Sequence, residues 1–120
     1  MGSLNIAILI LYALGMSVGQ VLFKLSADRT KANAEQGFLG AVLGNGYFYL
    51  AFILYCVLTV LWVWVLTRVP LSRAYPFVVL AFVFTPAFAY LIFGESLDLW
   101  YVLGLVLVLS GLGVLIAKAT

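Results

Sequence analysis

Four long apolar runs, at residues 4–25, 46–67, 74–93 and 100–117, leave this 120-residue chain few ways to fold. A helix needs about 20 predominantly apolar residues to cross the hydrocarbon core of a bilayer, and each run approaches or reaches that length. Lipid offers no partner to an open backbone N–H or C=O, so each run must be a helix. The chain is 67% hydrophobic and 8% charged. A soluble domain of this size could not hide that much apolar surface. The expected fold is therefore an all-α membrane protein. A single domain over residues 1–120 would hold four transmembrane helices, with a short interfacial helix between the first and second.

The same composition excludes several functions. There is no histidine, and the one cysteine, Cys56, lies in an apolar run. An intrachain disulfide and a Cys/His metal site are ruled out. No paired carboxylates lie in the spans, and there is no nucleophile–base pair and no phosphate-cradling loop. The chain reads as a non-enzyme with no cofactor and no metal. A net charge of +2 points to no nucleic-acid partner. The N-terminus lacks a basic n-region and a cleavage site, so the first run is expected to be a retained span.

The links are unequal. Those after the second and third spans are a few residues long and make antiparallel hairpins. The first link, residues 26–45, begins polar and turns apolar at Phe38-Leu39-Gly40-Ala41-Val42-Leu43. Six residues cannot span, so they are expected as an interfacial helix, broken before Asn45, which would cap the second span. The alternative is a second span that starts earlier and tilts. In the last hairpins, Pro70 should end one helix and Pro76 should sit in the first turn of the next. Pro86 falls in mid-span and should kink it.

Four spans put both termini on one side. Arg68, Arg73 and Lys118 then share the terminal side, and Lys24, Arg29 and Lys31 share the other. Orientation follows Lys/Arg asymmetry, and here the sides balance. Weak or dual orientation is expected, which permits an antiparallel homodimer.

Few side chains depart from plain wall. Ser17, Gln20 and Lys24 lie three and four apart on one helical face. They would line a cavity, or Lys24 snorkels and Gln20 bonds a neighbouring helix. Gly15 and Gly19 make a step that lets another helix approach closely. Tyr55, Thr59, Trp62 and Leu66 form a stripe read as packing or lipid contact. Glu95 and Asp98 read as loop carboxylates, with proton coupling by Glu95 as the alternative. Gly104, Ser110 and Gly111 mark the fourth helix as a dimerisation helix.

These residues resemble the small multidrug resistance family of the drug/metabolite transporter superfamily. The resemblance covers nearly the whole chain. It rests on Gly19-Gln20-Val21-Leu22-Phe23-Lys24-Leu25-Ser26, on residues 69–77, on Phe93-Gly94-Glu95, and on the Gly104 and Gly111 pair. In the drug exporters of that family an embedded glutamate of the first span binds proton and cation. Met16 stands at that place here. The family tyrosine falls on Tyr75, and Val78 replaces the tryptophan one turn later.

The Gly19-Gln20 step and the junction of Val69-Pro70 with Ala74-Tyr75-Pro76 are more similar to one branch. Its members are flippase subunits that carry undecaprenyl-phosphate-linked aminoarabinose across the bacterial inner membrane. The resemblance implies a polyprenyl-phosphate glycolipid as substrate, with membrane lipids around a dimer that works by alternating access. The dimer is expected to be a homodimer, with a heterodimer of paralogous subunits as the alternative. Lys24 and Arg73 would meet the lipid phosphate at opposite membrane surfaces. Ser17, Gln20 and Tyr75 would bond the sugar. Export of an organic cation, with Glu95 as the coupling acid, and a non-transporting accessory subunit remain the rival readings.

Overall fold

The structure is a computed structural model that describes residues 2–119, with side chains up to residue 117. The side chain of Lys118, one of the basic residues of the terminal side, lies outside the described residues. The helices are α1 (Ser3–Ala32), α2 (Phe38–Leu43), α3 (Gly46–Leu66), α4 (Leu71–Val78), α5 (Ala81–Phe93) and α6 (Leu99–Ala119), with a 3-10 turn at Ala34–Gln36. Four spans, α1, α3, the α4–α5 pair and α6, are long and apolar enough to cross a membrane.

At 30 residues, α1 extends about 45 Å, well past a hydrocarbon core of about 30 Å. Its apolar part stops near Leu25, but the helix continues to Ala32. Ala27, Arg29, Lys31 and Ala32 are good helix formers. Lys24 and Asp28 pair across one turn at 3.4 Å. Arg29 and Lys31 occupy the last turn, where the helix dipole favours cations. The drop in hydropathy thus marks a membrane surface and not a helix end.

The first link then folds as a sharp reversal. Gly37 has φ 79° and ψ 161°, a conformation essentially restricted to glycine. The six-residue α2 follows, with Phe38, Leu39 and Leu43 exposed. Buried Asn45 starts α3: its Oδ1 accepts from the Tyr47 N–H at 3.0 Å. Its Nδ2 donates to the Ser26 carbonyl at 2.8 Å. One side chain therefore caps α3 and ties it to α1.

The third span is a broken helix. It begins at Leu71, earlier than the Ala74 expected, so Pro76 is the sixth helical residue and lies inside α4. The interruption falls at Val79–Leu80, between the two prolines and not at either. There the N–H groups of Val79, Leu80, Phe82 and Val83 bond three residues back, to Pro76, Phe77, Val79 and Leu80, at 2.8–3.2 Å. This tightened 3-10 turn abuts Phe82, whose carbonyl loses its helical donor because Pro86 has no N–H. At the other end, Gly94 stops α5 in the left-handed region with φ 66°.

α1 is central and packs against α3, α4 and α5. The buried core lies toward the side of the chain termini. It is built from Leu9, Val65, Val69, Ala74 and Phe77, with Ile116 of α6 against it. Gly15 and Gly19 face α3, beside Leu58 and Tyr55. α6 packs on α4, and its outer face, with Gly104, Ser110 and Gly111, is exposed.

Candidate functional site

A groove of about 480 Å³ opens between α1, the broken third span and α6. Met16 and Gln20 line it from α1, Tyr75 from α4, Phe82 and Thr85 from α5, and Tyr101 from α6. The helix interruption supplies part of its wall, through Val78, Val79 and Ala81. Its size is that of a small-ligand site. No charged side chain lines it. What it offers is apolar surface with a few hydroxyls and one amide.

Each polar group is held from behind. Gln20 Nε2 donates to the Tyr55 hydroxyl at 2.9 Å, and that hydroxyl donates to the Met16 carbonyl at 3.0 Å. The Gln20 amide is thereby fixed, with its Oε1 left as an acceptor. The Tyr55 ring stacks on Phe23, with centroids 5.2 Å apart. Thr85 Oγ1 donates to Ser17 Oγ at 3.0 Å, and Ser17 Oγ donates to the Ala13 carbonyl at 3.2 Å. Ser17 is fully buried and does not reach the groove. It joins α1 to α5 and positions Thr85. Tyr75 is aimed by an aromatic series: Tyr12 stacks on Trp62 at 5.0 Å, and Trp62 meets Tyr75 edge-on at 6.4 Å.

The remaining candidate residues stand apart. Lys24 and Arg73 lie toward opposite ends of the spans, and neither lines the groove. Lys24 is engaged by Asp28 and both side chains are about half exposed. Arg73 is exposed on α4, two residues before Tyr75. Glu95 is exposed on the link after α5 and lines no cavity described among these residues. Asp98 caps α6, accepting from the Tyr101 N–H at 2.8 Å. Gly104 lines a smaller hollow of about 260 Å³ that shares Phe82 and Tyr101 with the groove. Ser110 donates to the Val106 carbonyl at 2.8 Å.

Sequence reasoning missed Tyr12, noted Thr85 in the third span without giving it a role, and placed Tyr55 and Trp62 in a packing stripe. The close step at Gly15 and Gly19 signalled that a bulky neighbour approaches α1. It carried no information on which residue that is.

Comparison with known proteins finds relatives along nearly the whole chain. A probable 4-amino-4-deoxy-L-arabinose-phosphoundecaprenol flippase subunit ArnE of Pseudomonas paraeruginosa is 30% identical over 112 residues, which is 93% of this chain and 96% of the relative. The protein of the same name from Pseudomonas aeruginosa matches with the same identity and coverage. No protein-family profile and no solved structure matches the chain.

Proposed function

The chain belongs to the family of the 4-amino-4-deoxy-L-arabinose-phosphoundecaprenol flippase subunits, and from that premise we propose that it moves an undecaprenyl-phosphate-linked sugar across the bacterial inner membrane. The polar head would pass through the groove while the hydrocarbon tail stays in lipid. The observation that carries this reading is the uncharged groove beside the broken third span, where Gln20, Tyr75, Thr85 and Tyr101 converge. Hydroxyls and an amide suit a sugar. A free organic cation would need a counter-charge from the protein, and Met16 supplies none where the drug exporters carry an acid, whereas the amino group of an aminoarabinose lipid brings its own counter-charge in the lipid phosphate. The chain acts as a transporter subunit and not as an enzyme.

Transport needs access from both sides in turn. The i→i−3 turn at Val79–Leu80 is the natural hinge, since broken helices near the bilayer midplane are the moving parts of many transporters. The exposed face of α6 is the surface on which a second subunit would dock. In an antiparallel pair, Lys24 of one subunit and the partner subunit's Arg73 would share a membrane surface. Each leaflet would then present a Lys and an Arg to the lipid phosphate, with Arg offering the planar fork that suits phosphate.

The test is transfer of 4-amino-4-deoxy-L-arabinose-phosphoundecaprenol across reconstituted vesicles, read by loss of access to an impermeant amine reagent. Arg73→Ala removes a charge-assisted contact of about 1.5–3 kcal/mol and should slow transfer at least about tenfold. Full activity in Arg73→Ala would reject the role of that residue. Wild-type vesicles that move no lipid, alone or with a paralogous subunit, would reject the reading itself.

A further inference from the structure

A second cavity, larger than the central groove, stands apart from it. It has a volume of about 600 Å³ and lies between the polar end of α1, α2 and the start of α3. That is the membrane surface opposite the chain termini. Phe23, Ala27, Phe38, Val42 and Phe48 give it apolar walls, and Lys31 is the one charged residue that lines it. The exposed Phe38 and Leu39 of α2 place its mouth in the interfacial zone, where such side chains partition.

The charges around it leave Lys31 uncompensated. Lys24 is paired with Asp28. Arg29 stacks over the Tyr47 ring at 5.8 Å. Glu35 lies one turn beyond Lys31, and among the described residues the one ion pair is that of Lys24. Hydrocarbon walls with a single free ammonium at the mouth complement a lipid with an anionic head and a long chain.

The cavity and the groove also lie along one face of α1. Met16, Gln20, Phe23, Ala27 and Lys31 follow one another at three- and four-residue steps, a single stripe of α1. The first two line the central groove and the last three line this cavity. One aromatic pair divides them, Phe23 on Tyr55, and Tyr55 is also the partner of Gln20. A resident phospholipid has no need of such a path, whereas a lipid in transit does.

We propose that this cavity is the loading site for a polyprenyl-phosphate lipid. The phosphate binds Lys31, and the first isoprene units lie between Phe23, Phe38 and Phe48. The head then moves along α1 toward Gln20. This role rests on the flippase reading.

The experiment uses the full chain in phosphatidylcholine vesicles with a diazirine-bearing undecaprenyl phosphate, and mass spectrometry of the adducts. Adducts are expected on the segment from Phe38 to Phe48. Undecaprenyl phosphate should compete for them, and uncharged undecaprenol should not. Lys31→Gln should lower the yield about tenfold, and Lys31→Arg should restore it. Ala27→Trp should abolish it by filling the cavity. If that variant misfolds, Lys31→Gln decides, because its side chain is exposed.

Equal competition by phosphatidylglycerol would show an ordinary anionic lipid and overturn the proposal, as would unchanged labelling in Lys31→Gln. The two readings fail separately. Transfer without adducts sinks the loading site alone. Adducts on wild-type protein that transfers nothing, even with a paralogous subunit, sink the flippase reading and leave a lipid site.

Discussion

Gly19→Ala is the sharpest probe of how the site is held. A Cβ built on Gly19 would stand 2.3 Å from Tyr55 Cε2, where ordinary contact begins at 3.4 Å. The ring cannot simply turn away. It is stacked on Phe23, and its hydroxyl is shared between Gln20 and the Met16 carbonyl. Either α1 and α3 separate or the ring leaves its bonds. Overpacking of this kind costs about 1–3 kcal/mol, and hydrogen bonds between membrane helices add about 0.6 kcal/mol each, so the expected loss is about 2–4 kcal/mol. Gly15→Ala is the control: its Cβ would meet the flexible end of Leu58 at 3.0 Å, and about 1 kcal/mol or less is expected. Equilibrium unfolding in mixed micelles, followed by helicity, measures both. A double-mutant cycle with Tyr55→Leu should recover more than half of the Gly19→Ala loss. If Gly19→Ala costs no more than Gly15→Ala, or if Tyr55→Leu recovers nothing, the account of Gly19 as the seat of the Tyr55 ring is wrong.

Asn45→Ala should cost about 1.5–2.5 kcal/mol in the same assay, about 1 for the lost α3 cap and about 0.5–1.5 for the lost bond to the Ser26 carbonyl, which keeps the Thr30 hydroxyl as a donor. Asn45→Asp, which keeps the cap acceptor and loses the donor, should fall between. Thr85→Val removes the donor to Ser17 and should cost about 0.6–1.7 kcal/mol; an increase in stability would show that the α1–α5 link is not held by that bond. Asp28→Asn should change stability by less than about 0.5 kcal/mol, because the Lys24 pair is half exposed and such pairs are worth little.

Much of the architecture was legible before any coordinates. The four spans, the short helix Phe38–Leu43 and the cap at Asn45 all follow from local rules. Apolar length decides what enters the bilayer, and an Asn before a helix satisfies an end that nothing else would. Helix α1 runs on past residue 25 because Lys24, Asp28, Arg29 and Lys31 stabilise it once it is in water, and the end of an apolar run says only where a helix leaves the lipid. Both prolines of the third span were visible. The break at Val79–Leu80 was not, because a missing N–H weakens a stretch of helix and the neighbours decide where it gives way.

For the site, the sequence by itself determined which polar side chains exist in the spans and at which register. Gln20, Tyr75 and Met16 were picked out this way, and all three line one groove. Only the tertiary structure decided that Tyr55 holds Gln20, that Ser17 is buried as a prop for Thr85, and that the groove carries no charge. The reason lies in the solvent. In water an amphipathic helix announces its inner face by periodicity. In lipid every face is apolar, and close packing of small and large side chains sets how the helices turn toward one another. Gly19 and Tyr55 are 36 residues apart in the chain, and nothing in the hydropathy of either helix pairs them.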